Sequence, residues 1–439
     1  MTQTIAQMTP KGAVIASTDL FEADSGTAKS YSVTGAQIAQ GASRIVTASI
    51  YEKMRRFYRE SRKNNPHYNA VMTSPPTIVV TSSQPGGLTK SYQPQSGNGA
   101  SAFFQTGGTP ANYVSGTRYP LVTLTNGGVN GNCGNGQNAV GWRVKVKVDA
   151  IAPCFRVLQG GNNYRFVIDG QYVNLSGTPA PNGGYSNYIQ LTFAARGQHE
   201  IWIEGDSSNA FYGLYVLPTE CACPPQAGLT WLVLGDSITA ATSSPALAAL
   251  NDGFAQVLGD CFGAGNLYMS GSGGEGILNP ANTGAGYTLR QRLPWDFLPC
   301  DVCVIAVGTN DSTYSATALE AEIQFLLSAI RTTYAFAGPI FFLGVPANAS
   351  GPSAAVLATE AAYLAAVTTF NDPDVFFIPT ANASPESMLF GTGYAGATNN
   401  SGNSDWAVST DATHPTLEGH YYDGSWWADR IFNTIQNLA

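Results

Sequence analysis

A serine at position 237 follows a short apolar run and a glycine, and these surroundings favour a nucleophile. The run 231–234 predicts a buried strand, and Gly235 permits the tight turn that ends it. Open α/β sheets place their ligand sites at the carboxyl ends of strands, which is where Ser237 would lie. A turn that caps a helix is the alternative for this motif taken alone. A nucleophilic serine also needs a base, so the prediction depends on finding one elsewhere in the chain.

A candidate base lies near the carboxyl terminus, in the stretch Asp411-Ala412-Thr413-His414-Pro415. Imidazole titrates near neutral pH, so His414 could remove the proton of Ser237. Asp411, three residues earlier, could hold the other ring nitrogen and stabilise the charged imidazole. The pattern by itself is also compatible with a capped loop. Together with Ser237, it predicts a catalytic triad of Ser237, His414 and Asp411.

Two further stretches contain groups that could bind the negative oxygen formed during ester cleavage. The first, 270–276, is rich in glycine, and the second is Gly308-Thr309-Asn310-Asp311. Backbone N–H groups freed by glycines and a side-chain amide are suitable donors for an oxyanion. We therefore predict an oxyanion hole formed by Ser237, Gly274 and Asn310. Taken singly, the first stretch is also compatible with a flexible loop, and the second is also compatible with a turn.

The elements that must position these residues alternate between strands and helices from residue 230 onwards. The predicted strands are 231–234, 266–269, 301–307, 339–345 and 375–379. The predicted helices are 245–258, 317–334, 354–370 and 421–438. This alternation predicts a parallel sheet with helices on both faces. The motifs follow strands or precede the last helix, so we expect them to meet at one sheet edge.

These four blocks resemble those of the SGNH (GDSL) hydrolase superfamily over about residues 230–439. The matching residues are Gly235-Asp236-Ser237-Ile238-Thr239, Gly273-Gly274, Gly308-Thr309-Asn310-Asp311 and Asp411-x-x-His414-Pro415. The resemblance implies a flavodoxin-like three-layer fold and ester hydrolysis without a cofactor or metal. It implies the same triad, with Ser237, Gly274 and Asn310 as oxyanion donors and Gly273 as the alternative to Gly274. Because residue 239 is threonine, no Gly-x-Ser-x-Gly elbow surrounds Ser237, and the α/β-hydrolase family is not predicted.

Residues 101–220 predict an antiparallel β-domain ahead of the hydrolase domain at 221–439. Apolar and polar residues alternate over 142–148 and 199–204, and glycine or asparagine turns separate further short runs. Such runs predict a jelly-roll-like β-sandwich, which could bind sugars or brace its neighbour. A β-sandwich before such a domain resembles the layout of carbohydrate O-acetyl esterases. That resemblance implies an acetylated polysaccharide as substrate.

Residues 1–100 predict an attachment or oligomerisation segment. Apolar residues recur at helical spacing over 36–64, whose end is basic, and 82–100 has the composition of a linker or long loop. A helix outside the two domains needs a partner for its apolar stripe, which favours docking or a homo-oligomer, although a solvated amphipathic helix is the alternative. Stretches 17–21 and 33–38 weakly resemble the N-terminal segments of phage tail or spike proteins. This resemblance implies a virion protein that deacetylates a host surface glycan.

Composition restricts the possible partners and compartments. The chain has 439 residues, 11% of them charged, and a formal net charge of −8, which argues against non-specific nucleic-acid binding. We expect no membrane span and no classical signal peptide. An extracellular or virion-surface location is therefore expected. Seven cysteines include Cys221-x-Cys223 and Cys300-x-x-Cys303, which could suggest zinc, but buried free thiols are favoured.

The favoured function is a serine esterase that removes O-acetyl groups from a polysaccharide. A lipid esterase or thioesterase would use the same triad but would need a wide apolar groove. A non-catalytic glycan-binding adhesin or structural spike is the alternative from another class, and it has no need of a complete triad. The sugar and the acetylated position are not encoded in any motif identified here.

Overall fold

The computed structural model describes most of the hydrolase region and much of the β-region. The described residues are 21–24, 30–33, 49–61, 66–67, 69–93, 103–107, 110–111, 121–123, 129–130, 142–158, 163–179, 186–205, 210–225, 228–241, 252–281, 286–346, 348–383, 386–397, 403–436 and 438. The helices are α1 (49–61), α2 (Phe254–Cys261), α3 (Leu289–Asp296), α4 (Ala316–Ser328), α5 (Ala354–Phe370) and α6 (Leu417–Ile435).

Within the described residues, strands make up three sheets of very different size. In chain order they are β1 (Phe21–Asp24), β2 (Ser30–Val33), β3 (Thr77–Thr81), β4 (Lys90–Tyr92), β5 (Phe104–Gly107), β6 (Pro110–Ala111), β7 (Leu121–Thr123), β8 (Val129–Asn130), β9 (Trp142–Ala150), β10 (Cys154–Leu158), β11 (Arg165–Ile168), β12 (Gln171–Tyr172), β13 (Ser186–Thr192), β14 (Gly197–Gly205), β15 (Ala210–Val216), β16 (Cys221–Cys223), β17 (Trp231–Gly235), β18 (Leu267–Gly271), β19 (Val302–Ala306), β20 (Ile340–Leu343) and β21 (Val375–Ile378). Strands β1 and β2 pair only with each other among the described residues.

The predicted parallel sheet is formed by β18, β17, β19, β20 and β21, in that spatial order. Strand β17 is buried along its whole length, as continuous apolar runs in parallel sheets usually are. Gly235 at the end of β17 lies opposite Gly271 on one side and Ala306 on the other. The residues that follow these three strands therefore begin at the same edge of the sheet. The prediction of a flavodoxin-like α/β domain is confirmed.

Helices cover both faces of this sheet because the side chains of β17 alternate between them. Trp231 and Val233 share a core with residues of α1, α2 and α6. Leu232 and Leu234 share the opposite core with residues of α3, α4 and α5. Helix α3 was not predicted, since it contains Pro294 and few apolar residues at helical spacing.

The large sheet does not end with the parallel strands. Strand β5 pairs in parallel with β18 and antiparallel with β9, and the sheet then continues through β14, β11 and β12. A second sheet runs from β3 through β13, β10, β15, β8 and β7 to β6, and its pairs are antiparallel except for the parallel pair of β6 and β7. Side chains of the two antiparallel parts share one core, in which Phe155 of β10 lies edge-on to Phe166 of β11, with ring centroids 5.5 Å apart. An antiparallel N-terminal region is present, while its jelly-roll layout stays a prediction.

Several strands lie where the sequence analysis expected connecting segments. Strand β3 lies within the expected attachment segment, and it pairs with β13. Strand β4 lies within the expected linker, and it pairs with β15. Strand β16 lies at the expected domain junction, and it pairs with β9. Short strands of three to five residues leave little alternation to detect, because register comes from the neighbouring strand.

Helix α1 packs on the hydrolase core instead of projecting from it. The side chain of Met54 is fully buried in the core shared with α2 and α6. Tyr51 donates a hydrogen bond of 2.6 Å to Asp374, and Arg55 donates to two carbonyl groups at the end of α6. The apolar stripe is thus covered by this chain itself, so it gives no separate support for a partner chain. Oligomerisation stays a prediction without that support, and residues 36–48 lie outside the described part.

Two general features complete the fold. The described cysteines, which exclude Cys133, form no disulfide. Within the described ranges, no helix combines the length and the apolar character needed to cross a bilayer.

Candidate active site

The serine and the histidine meet at the carboxyl edge of the parallel sheet. Oγ of Ser237 lies 2.8 Å from Nε2 of His414, although 177 positions separate the two residues in the chain. Nδ1 of the same ring lies 2.6 Å from a carboxylate oxygen of Asp411. An ionised carboxylate can only accept, so the proton is assigned to Nδ1. Nε2 is then free to accept the proton of the serine hydroxyl.

Hydrogen bonds from its own loop keep Asp411 ionised. Partial burial of the carboxylate opposes ionisation, but the backbone N–H of His414, the hydroxyl of Ser409 and the backbone N–H of Thr413 donate to it at 2.9, 2.7 and 3.0 Å. With the imidazole on its second oxygen, these bonds hold the pKa of Asp411 well below its usual range. The carboxylate therefore stays charged opposite the imidazole throughout the neutral pH range.

The loop that carries Asp411 and His414 is itself fixed to the first turn of α6. Val408 forms an antiparallel bridge with Pro415, and the backbone N–H of Ser409 donates to the carbonyl of His414 at 2.8 Å. The side chain of Thr416 caps α6 by accepting a backbone N–H of its first turn. The position of α6 thus determines where the imidazole points.

Suitable donors lie in the loops that follow β17, β18 and β19. The backbone N–H groups of Ser237 and Gly274 donate to no acceptor within the described part of the chain. Gly274 has a φ of +72°, which a glycine adopts without strain. The side-chain amide of Asn310 donates to the carbonyl of Glu275 at 2.8 Å, and this bond uses one of its two N–H groups. Asn310 and the glycine loop therefore form one unit with donors left for a ligand.

Asp311 holds that unit together, a role that the sequence analysis missed. Its fully buried carboxylate accepts the backbone N–H groups of residues 277–279 at 2.7 to 3.1 Å and the hydroxyl of Tyr363 at 3.1 Å. A Cβ on Gly276 would lie 2.4 Å from the same carboxylate. Only glycine fits there, so the glycine run and the Asn-Asp pair form one structural unit. The adjacency of Asp311 to Asn310 was the available signal.

Residues 233–422 match the GDSL-like lipase/acylhydrolase family model. This stretch is a GDSL-like lipase/acylhydrolase domain. The matched range includes Ser237, Gly274, Asn310, Asp411 and His414, and it ends within α6. The GDSL domain makes the chain a carboxylic ester hydrolase.

Solved structures resemble the chain only distantly. One is a family two carbohydrate esterase from Clostridium thermocellum in complex with cellohexaose, with 19% identity, 68% of this chain and 92% of that chain covered, and a TM-score of 0.47. Another is an acetyl xylan esterase from Butyrivibrio proteoclasticus, with 13% identity, 67% and 90% covered, and a TM-score of 0.44. A third is a salicylyl-acyltransferase from a tetracycline biosynthetic pathway, with 12% identity, 80% and 98% covered, and a TM-score of 0.49. These TM-scores all lie below 0.5, so the similarity says nothing about the chemistry of this chain. No curated protein matches the chain.

Arg292 braces the GDSL domain behind the catalytic loops, and the sequence analysis missed it as well. The side chain is almost fully buried, with Nε 2.7 Å from the carboxylate of Glu275. Its terminal nitrogen Nη2 donates to the carbonyl of Gly235 at 2.6 Å and to the carbonyl of Ser270 at 3.0 Å. One guanidinium thus joins the ends of β17 and β18 to the glycine loop. An arginine in an unpredicted helix gave no sequence signal for this role.

Asp236, beside the nucleophile, is buried in the GDSL domain. Burial raises its pKa to about 7, although the backbone N–H of Ile238 donates to it at 2.9 Å. The carboxyl of Asp311 adds to the increase. The charge next to Ser237 therefore changes near neutral pH.

The cysteine motifs do not form a cluster with other metal ligands in the described residues. Cys221 and Cys223 lie exposed on β16, while Cys303 lies buried in β19. Among the residues placed by the structure, no group of three or more His, Cys, Asp or Glu side chains is arranged to hold a metal ion.

Proposed function

We propose that the chain removes O-acetyl groups from a polysaccharide, with Ser237 as nucleophile, His414 as base and Asp411 as its partner. The observation that carries this proposal is the chain of contacts at 2.8 and 2.6 Å from the serine hydroxyl to the imidazole and on to the carboxylate. A serine, a base and an orienting acid in hydrogen-bond contact are the arrangement that acyl transfer requires. Membership of the GDSL-like lipase/acylhydrolase family supports the same chemistry.

The proposed reaction passes through an acetyl-enzyme. Oγ of Ser237 attacks the acetyl carbonyl carbon while its proton passes to Nε2 of His414. The carbonyl oxygen becomes an oxyanion, which the N–H groups of Ser237, Gly274 and Asn310 bind. Collapse breaks the ester bond, and the sugar oxygen leaves with the proton from His414. Water then attacks the carbonyl carbon of the acetyl-serine while its proton passes to His414. His414 returns that proton to Oγ of Ser237 as acetate leaves, which restores the serine.

Exposed aromatic side chains in the segments near Asn310 and Asp411 favour a sugar substrate. Trp406 is 44% exposed and lies in the segment that leads to Asp411. Tyr314 is 37% exposed, and its hydroxyl lies 3.3 Å from the side chain of Asn279, which in turn donates to the carbonyl of Gly274. Exposed rings with a polar tip offer an apolar face to a sugar ring together with hydrogen bonds.

The proposal extends to location and partner. We place the enzyme outside the producing cell or on a virion, acting on an acetylated surface glycan. This extension rests on the weak N-terminal resemblance to phage tail or spike proteins. The proposed location does not depend on the triad geometry, so it stands separately from the proposed esterase activity.

An acetate-release assay over a panel of acetylated polysaccharides tests the proposed substrate. Wild-type protein is expected to release acetate from at least one of them, while Ser237→Ala releases none. In parallel, p-nitrophenyl acetate, octanoate and palmitate test the acyl length. A preference for palmitate would overturn the carbohydrate assignment in favour of a lipid esterase. Glycan binding without any acetate release would overturn the enzyme in favour of an adhesin.

A further inference from the structure

A row of buried charges crosses three strands of the β-region and faces helix α2. Glu204 of β14 lies directly opposite Arg165 of β11 on one side and Arg143 of β9 on the other. Its two carboxylate oxygens accept Nε of Arg165 at 2.5 Å and Nε of Arg143 at 2.6 Å. All three side chains are 1% exposed or less. The row therefore forms one rigid, paired unit on the sheet.

Helix α2 of the GDSL domain is held to this row at both ends. Arg165 donates to both oxygens of Asp252, just before α2, at 2.8 and 2.7 Å. Arg143 donates to both oxygens of Asp260, in the last turn of α2, at 2.8 and 2.7 Å. The Arg165–Asp252 pair is bidentate, with a different terminal nitrogen on each oxygen, and such pairs fix orientation as well as distance. Arg143 uses the single nitrogen Nη1 for both oxygens of Asp260. The β-region thus sets the position of α2 along its whole length.

Asp252 extends the connection to α6, the helix that follows His414. The hydroxyl of Tyr421 donates to Asp252 at 2.9 Å, on the oxygen that also accepts from Arg165. Beside it, the backbone N–H of Phe254 donates to Nδ1 of His420 at 3.2 Å. Asp252 therefore joins the β-region, the start of α2 and the first turns of α6 at a single buried carboxylate.

Helices α2 and α6 are packed so closely that neither can move toward the other. A Cβ on Gly424 of α6 would lie 2.6 Å from the carbonyl of Phe254 and from the side chain of Val257. The two helices are therefore in backbone contact. A rotation of α6 would carry the loop of His414 with it, because Thr416 caps that helix.

We propose that Asp252 and Tyr421 are positioning residues, which hold α6 so that Nε2 of His414 meets Oγ of Ser237. This inference rests on the proposed roles of Ser237 and His414. Neither side chain touches the reacting atoms, so both act through the helix. The competing explanation is a purely structural clamp, whose loss would lower stability and leave the turnover of the folded enzyme unchanged.

The first test is Tyr421→Phe, which removes one hydroxyl and keeps the ring. We expect kcat for p-nitrophenyl acetate to fall by about tenfold with KM unchanged, because a small misplacement of a catalytic group costs up to about 10²-fold. The rate at which a fluorophosphonate labels Ser237 is expected to fall in parallel, since labelling also needs the imidazole. Both kcat and the labelling rate are measured at a temperature below the unfolding transition of each protein.

The matched control is Tyr51→Phe, which removes another tyrosine–aspartate hydrogen bond. Tyr51 of α1 donates at 2.6 Å to Asp374, which directly precedes β21, so this bond involves neither Asp252 nor α6. Its loss is expected to lower stability and to leave kcat and the labelling rate unchanged. If Asp252 and Tyr421 only stabilise the fold, Tyr421→Phe and Tyr51→Phe will both lower stability and leave kcat unchanged.

A double-mutant cycle gives a second, independent test. Arg165→Met is expected to lower kcat. Tyr421→Phe is expected to lower kcat by a smaller factor in the Arg165→Met background than in the wild type, since both substitutions act through Asp252. Asp252→Asn, which keeps the volume, replaces Tyr421→Phe if the latter does not fold. Unchanged kcat in the folded variants would overturn the inference. Loss of activity in Ser237→Ala, measured alongside, shows that the proposed function itself still holds in that case.

Discussion

At the residue scale, the site combines side chains that only the folded chain brings together. The hydroxyl of Ser237 and the imidazole of His414 come from opposite ends of the GDSL domain and meet at 2.8 Å. Asp411 reaches the imidazole from the same loop, and the pKa of its carboxyl is held low by that loop. The arrangement supplies a nucleophile, a base and a fixed negative charge. It explains how a serine could act without a metal or a cofactor.

Asn310→Ala tests the oxyanion donor. The side-chain amide is the donor furthest along the chain from Ser237, and its removal leaves the triad untouched. We expect kcat for p-nitrophenyl acetate to fall by about 10²–10³-fold, the usual cost of one such donor, with little change in KM. Stopped-flow or steady-state kinetics measures this directly. A fall of less than about twofold would show that another group binds the oxyanion.

The sequence predicts the members of the site whose role follows from residue type. Ser237, His414 and Asp411 could be selected because a nucleophile, a base and an acid are rare in suitable loops. Asp311 and Arg292 could not be selected in this way, because their role lies in contacts with backbone groups of other loops. Those contacts depend on how the glycine loop folds.

At the element scale, α6 buries two ionisable side chains in their neutral forms. Burial, with a smaller contribution from the charge of His414, lowers the pKa of His420 to about 3. Burial raises the pKa of Asp423 to about 8. The helix after the catalytic loop is therefore sensitive to pH through its packing, separately from the chemistry of the triad.

Asp423→Asn tests this sensitivity. An unfolded aspartate ionises near pH 4, so between about pH 4 and pH 8 the folded wild type holds one more proton than the unfolded chain. The free energy of unfolding of the wild type therefore falls as pH rises through this range. Asparagine does not titrate, so the variant should gain about 2–4 kcal/mol relative to the wild type between pH 5 and pH 8.5, at 1.36 kcal/mol for each pKa unit.

Urea unfolding of both proteins at the two pH values measures that gain. His420 is present in both proteins, so its ionisation in the unfolded chain cancels in the comparison. A constant difference between variant and wild type at both pH values would contradict the raised pKa of Asp423.

Elements that are long or continuously apolar are the ones that the sequence predicts well. Helix α5 begins and ends at the predicted residues, and all five predicted parallel strands are present. Helix α3 and the short strands β4 and β16 have no such apolar run, and backbone pairing and side-chain hydrogen bonds hold them in place. Helix α1 was predicted, but the surface that covers it was not, since periodicity identifies an apolar face without identifying its partner.

At the scale of the whole molecule, the β-region and the GDSL domain share one sheet and one buried charge network. Strand β5 pairs with β18 of the parallel sheet, and α1 fills the core beside α2 and α6. A linker-like composition at 82–100 suggested separate units. Pairing of backbone groups across β5 leaves no pattern in the sequence, so this continuity could be seen only in the structure.

A fragment of residues 228–439 tests the continuity. Removing the preceding chain exposes the edge of β18 and leaves Asp252 and Asp260 without their arginines. An unpaired buried charge costs about 3–5 kcal/mol, which is a large share of a typical domain's stability. We expect the fragment to show no cooperative thermal unfolding by circular dichroism and no esterase activity. Cooperative unfolding with full activity would show that the GDSL domain is independent.

The most direct test of the central claim is the kcat/KM of Ser237→Ala for p-nitrophenyl acetate, with near-UV circular dichroism as the check on folding. The variant is expected to keep its fold and to lose about 10⁴-fold or more in kcat/KM, since removal of a triad nucleophile leaves only the oxyanion hole and binding. Turnover within about tenfold of the wild type in a folded Ser237→Ala protein would contradict the account, because another group would then be attacking the ester.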